Sequence, residues 1–129
     1  IRNIGWQDHI PHSVILQRAS IPNIYSLLSK HRLRWLEHVR HMEDGRLPKE
    51  ILYCQLATGT RRIGRPSLRF KDVCTRDVKA CGISPDSWEV QAQDRATFRM
   101  TVNKGMTFAD ERRVQQAAEK RERNKLTSA

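Results

Sequence analysis

An all-α fold is the class this chain predicts: a small bundle of about five short-to-medium helices with a charged C-terminal tail that is helical or disordered. Three observations carry that expectation. Apolar residues recur at i+3 and i+4 spacing in successive windows, and helix-starting and helix-stopping residues bracket those windows. No run alternates apolar and polar residues at the period of two that a strand requires. At 129 residues the chain suits one small domain, expected over 1–105, followed by a tail over 106–129.

The elements follow in order. Gly5, Pro11 and Pro22 punctuate the first segment, and between the prolines Ser13 is placed to cap a short helix carrying Val14, Ile15 and Leu16. Asn23 is the expected N-cap of the first strong helix, 24–42, about 28 Å long at helical rise. Its apolar stripe runs Ile24, Leu28, His31, Trp35, Val39 and Met42, which makes Leu28, Trp35, Val39 and Met42 core candidates, with stacking on a base the lesser reading of Trp35. Leu27 and Leu36 widen the stripe, while Lys30, Arg34 and Glu37 fall elsewhere around the helix. Gly45 ends it, and Pro48 opens a second helix, 48–57, stopped by Gly59. Ser67 caps a third, 67–81, with Phe70, Val73, Cys74 and Val78 on one side and Gly82 closing it. Ser84 and Pro85 start a fourth, anchored by Trp88, and Asp94 caps a fifth, 95–103, ending at Lys104-Gly105. Phe70 and Trp88 complete the expected core. From Ala109 onward the chain is charged and Ala-rich, helical by propensity with little to bury.

Twenty-four Lys and Arg against 14 Asp and Glu give a net charge of +10, which favours a polyanionic partner, RNA or DNA before an anionic membrane. No apolar stretch approaches the ~18–20 residues that span a bilayer, so no membrane is expected. Cys54, Cys74 and Cys81 form an odd set without a Cys-x-x-Cys pair, fitting a reducing intracellular compartment, nuclear or cytoplasmic. His38 and His41 are three apart and are expected to share a helix face, but two histidines make a poor zinc site. No nucleophile pairs with a base at recognisable spacing, so catalytic residues, metal, cofactor and small-molecule substrate are all expected to be absent from this segment.

The segment most suggestive of function runs from Arg61 to Lys71, with the cations Arg61, Arg62, Arg65, Arg69 and Lys71, one Gly-Arg-Pro core and no acid. Gly64 and Pro66 keep its backbone out of a helix, so Arg65 is presented from a loop. One reading is an AT-hook-like element lying in an A·T-rich minor groove, although Ile63 stands where such hooks carry an arginine before the glycine. A second is joint phosphate contact without groove insertion, and a third is a solvated loop. Phosphate contact is preferred. Helix 24–42 adds Lys30, Arg34 and Arg40 as further candidate contacts, not all on one face.

The run Leu33-Arg34-Trp35-Leu36-Glu37-His38-Val39-Arg40-His41-Met42, followed by Arg46-Leu47-Pro48-Lys49, resembles the C-terminal region of endonuclease–reverse transcriptases of non-long-terminal-repeat (LINE-type) retrotransposons. The resemblance extends to Trp6-Gln7-Asp8, Gly64-Arg65-Pro66, Arg69-Phe70-Lys71-Asp72, Asp86-Ser87-Trp88 and Ala92-Gln93-Asp94-Arg95, in order and at matching spacing. Glu37 departs from it, standing where the family often has Gly. The resemblance implies that the polymerase and endonuclease domains lie upstream of Ile1 and that none of their catalytic residues belongs to this chain. It also implies a post-polymerase segment that grips template RNA or target DNA during target-primed reverse transcription. Two alternatives stand beside it. One is a scaffold packed on the polymerase domain without touching nucleic acid, which requires an exposed apolar patch around Ile10, Val14 and Ile15; the other is a fragment of a decayed element.

Overall fold

The computed structural model describes residues 3–54, 64 and 68–128. Among these there is no strand, and the helices are α1 (His12–Ala19), α2 (Ile24–Arg40), α3 (Leu47–Tyr53), α4 (Phe70–Ala80), α5 (Trp88–Gln91) and α6 (Arg95–Thr127), preceded by a 3-10 turn at Trp6–Asp8. The all-α class expected from periodicity is the class observed.

Local chemistry sets most of the boundaries. The Asn23 side chain accepts a hydrogen bond from the Tyr25 amide at 3.0 Å, opening α2. Asp94 does the same for α6, accepting from the Ala96 amide at 3.1 Å. At the start of α4 the Asp72 carboxylate accepts from the Arg69 amide at 2.9 Å, the reciprocal half of a capping box, so Arg69 rather than Ser67 is the cap. Ser67 itself lies outside the described residues. Gly82, with φ of 77°, closes α4 in a Schellman motif: its amide bonds Lys79 and the Ile83 amide bonds Val78.

Other boundaries move. Pro11, not Ser13, caps α1, because its extended backbone already turns the chain into the helix at His12. Helix α2 stops at Arg40, with His41 as its cap, and α3 ends at Tyr53 because Cys54 is extended. Ser84 to Ser87 form a turn, leaving α5 only Trp88–Gln91. The largest change is α6, which does not end at Lys104-Gly105 but continues through the boundary drawn between 105 and 106.

Gly105 explains that continuation. A Cβ there would lie 2.6 Å from the Cys81 carbonyl oxygen and 2.7 Å from its Cα, so the residue is a contact point and not a stop. The end of α4 and the first third of α6 approach backbone to backbone at this position.

Helix α2 lies at the centre of the packing, touching α3, α4 and, most extensively, α6. One cluster holds Leu33, Leu36 and Val39 of α2, Leu52 of α3, Cys74 and Val78 of α4, and Phe98, Val102, Met106 and Ala109 of α6. Met42 and Trp88 pack against this cluster. Leu28 and Trp35 are not core: they are 47% and 48% exposed. The buried face of α2 is instead Ser26, Ser29, Leu33, Leu36, Glu37 and Val39, turned around the helix from the stripe of large apolar residues. Small serines let neighbouring helices approach, and two buried carboxylates are satisfied by arginines, so polar residues occupy positions that an apolar count assigns to solvent. Phe70 is also outside the core at 44% exposed, because as the first residue of α4 it sits at the rim.

Between α2 and α4 the Asp77 carboxylate accepts from Arg32 Nε at 2.6 Å and from Ser29 Oγ at 3.2 Å, and Arg32 Nη2 donates to Ser29 Oγ at 3.0 Å. The hydrogen bond to Asp77 raises the Arg32 pKa further above its ordinary value. Asp77→Ala is expected to destabilise the fold by about 2–3 kcal/mol, since it strands a partly buried guanidinium, and Asp77→Asn by less. Gly105→Ala, which in an ordinary helix stabilises, is expected here to cost about 1–3 kcal/mol by overpacking against Cys81. Urea unfolding followed by circular dichroism reads both; a Gly105→Ala protein at least as stable as wild type would rule out the close crossing.

Candidate nucleic-acid interface

The cations of α2 and α6 converge because a carboxylate lies between the helices. Glu37 is 2% exposed, and Arg95 Nε and Arg99 Nε, one helical turn apart on α6, lie 3.7 and 3.4 Å from its two oxygens. Both arginines keep about half of their side-chain surface in solvent, 53% and 50%. Each guanidinium therefore pairs through Nε while much of its surface still faces water. Together with His31, Arg34 and His38 they line a polar groove of about 450 Å³. A neighbouring hollow of about 290 Å³ extends it along the same two helices past Lys30 and Asn103.

Trp35 is the wall between this polar groove and a second, mainly apolar one. The second, of about 480 Å³, is floored by Val39, Leu47, Ile51, Leu52 and Phe70, with Arg69 and Lys71 at its edge. His38 stands beside the indole, ring centroids 5.1 Å apart and tilted by 44°. Lys71 Nζ lies 5.9 Å from the centre of the Tyr53 ring, and the Tyr53 hydroxyl donates to Glu89 at 2.8 Å. Burial and that bond to Glu89 push the Tyr53 pKa up to about 12.

The expected contact residues are divided by the fold. Arg61, Arg62 and Arg65 lie outside the described residues, while Gly64, at φ of 88°, has the left-handed backbone that glycine accommodates. Arg69 is exposed and bridges to Asp72 at 3.2 Å, and Lys71 is half-buried beside it. Lys30 and Arg34 both line the α2–α6 hollow. Arg40 joins neither groove: its Nε is buried with no hydrogen-bond partner. His38 lies beside Trp35, and His41, the cap of α2, donates Nε2–H to the Ala92 carbonyl at 2.7 Å. Ile10, Val14 and Ile15 are half-buried; large exposed apolar residues include Ile21, Ile24 and Tyr25 as well as Leu47 and Ile51, the last two 66% and 61% exposed.

Composition and spacing missed Arg95, Arg99 and the exposure of Trp35. The i, i+4 arginine pair at the start of α6 was the available signal, but without a partner helix it reads as a solvated face. Comparison with protein-family models, with characterised proteins and with solved structures returns no match for this chain. No helix among the described residues is long and apolar enough to cross a membrane.

The cysteines supply a test of the packing beneath the grooves. Cys54 is exposed, whereas burial pushes Cys74 and Cys81 up to about 12 from an ordinary value of 9.0. A thiol whose folded pKa is raised contributes stability that is complete below pH 9 and is lost as pH rises toward 12. A thiol reagent at neutral pH is therefore expected to label Cys54 promptly and the other two only on unfolding, and alkaline titration should lose helicity between those pH values. Rapid labelling of all three thiols in the folded protein would contradict this packing.

Proposed function

We propose that this chain is a non-catalytic, nucleic-acid-binding C-terminal segment of a LINE-type retrotransposon reverse transcriptase. It holds template RNA or target DNA while an upstream polymerase domain of the same polypeptide carries out target-primed synthesis. The observation that carries this reading is the pair of adjoining α2–α6 hollows lined by Lys30, Arg34, Arg95 and Arg99, the last two flanking one buried carboxylate. Guanidinium groups with free N–H donors in a partly enclosed groove suit phosphate oxygens. The cationic run from Arg61 to Lys71 contributes five further positive charges to the chain, and the net charge of +10 attracts any polyanion. The ordered likeness from Leu33 to Arg95 supplies the retrotransposon context, and three unpaired cysteines suit a nuclear or cytoplasmic, reducing setting.

The reading predicts a steep salt dependence. If about four cations meet phosphates, log K against log salt should fall with a slope of roughly −3 to −4. Lys30→Ala with Arg34→Ala should shallow that slope by about 1.4–1.8 and weaken different sequences about equally. Reversing the charges of Arg61, Arg62, Arg65 and Arg69 should abolish most binding. A filter-binding titration reads all of these, and a shallow slope that none of the variants changes would sink the proposal.

A further inference from the structure

Cations border the apolar groove on both sides, and an exposed indole forms one of its walls. On one side of Trp35 lie Arg34, Arg95 and Arg99; beyond the apolar floor lie Arg69 and Lys71. Phe70, 44% exposed, gives the floor a second aromatic ring, and Trp35 is 48% exposed. Surface aromatics flanked by guanidinium and ammonium groups are disposed as a single strand requires, with flat apolar surfaces for bases and charges for the phosphates at either side. A duplex can use the charges but not the rings, because its bases are already paired and stacked.

The geometry points to an unpaired stretch of nucleic acid laid across Trp35, with a base stacked on the indole and adjoining phosphates held by the two cation groups. This rests on the nucleic-acid reading above and goes beyond it by naming the strandedness of the ligand and the residue that selects it. Arg69 already bridges to Asp72 and Arg99 already pairs with Glu37, so both arrive positioned rather than freely rotating. The stacking contribution is independent of base identity, since every base has a π-face, so selection is for strandedness and not for sequence.

Fluorescence anisotropy with labelled oligo-uridine, oligo-thymidine and a hairpin duplex of equal length tests this on the 129-residue chain. Both single strands are expected to bind about tenfold or more tightly than the duplex, and Trp35→Ala to cost about tenfold on single strands while leaving duplex binding nearly unchanged. Trp35→Phe should retain most of the affinity. If circular dichroism shows that Trp35→Ala unfolds, Trp35→Leu keeps an apolar side chain without the π-face and asks the same question. Tighter binding of oligo-uridine marks RNA as the ligand, tighter binding of oligo-thymidine marks DNA, and either supports the stacking site. Equal affinity for duplex and single strands, or a Trp35 effect that is equal on both, overturns this inference while the nucleic-acid reading stands. No binding to any of the three overturns both.

Discussion

Burying a carboxylate between two helices is tolerated only when cations come with it, and Glu37 imposes that requirement at the centre of this fold. Its side chain is 2% exposed on α2, and its two oxygens face Arg95 and Arg99 of α6. The pair thus sets the rotation of α6 against α2, and with it which residues of α6 enter the core. Phe98 lies between the two arginines in sequence and is 1% exposed, so the polar and apolar contacts share a register. The ion cluster also has an outward face. Arginines recruited to satisfy one acid retain solvent-facing surface, and the groove they line gathers positive charge from both helices.

Helix α2 carries two different surfaces as a result. Serines, Glu37 and the aliphatic residues Leu33, Leu36 and Val39 face inward, and Leu28 and Trp35 are left toward solvent. An exposed tryptophan removes less apolar area from water than a buried one and therefore adds less to stability. On the edge of two grooves it becomes available as a contact surface instead. The Ser29–Arg32–Asp77 cluster plays the matching part on the α4 side, so α2 is held to each of its long neighbours by one buried acid and by shared aliphatic packing.

What could be read from residues alone was largely local. Asn23, Asp94, Pro48 and Gly82 act where their side chains or backbones place them, because capping depends on a few neighbouring atoms. The all-α class followed from periodicity for the same reason. The inner face of α2 was not legible, since Ser26 is small and Ser29 and Glu37 are buried with polar partners, none of which a hydrophobicity pattern records. Gly105 was misread as a terminator because glycine stops helices and also permits close crossings, and only the position of Cys81 distinguishes the two. Of the basic residues, Lys30 and Arg34 were recognisable on α2, but Arg95 and Arg99 acquired meaning only opposite a buried acid more than fifty positions earlier in the chain.

The Gly105–Cys81 crossing also makes α6 a lever. Ala109 is the last buried residue of this helix, and from Gly105 to Thr127 the rod runs on for about 33 Å at helical rise. A change of roughly 10° in the crossing angle would move its far end by about 6 Å. The close crossing at Gly105, with the buried Met106 and Ala109 and the Arg113–Tyr25 contact beyond it, fixes the aim of this helix and of Arg121, Arg123 and Lys125 near its tip.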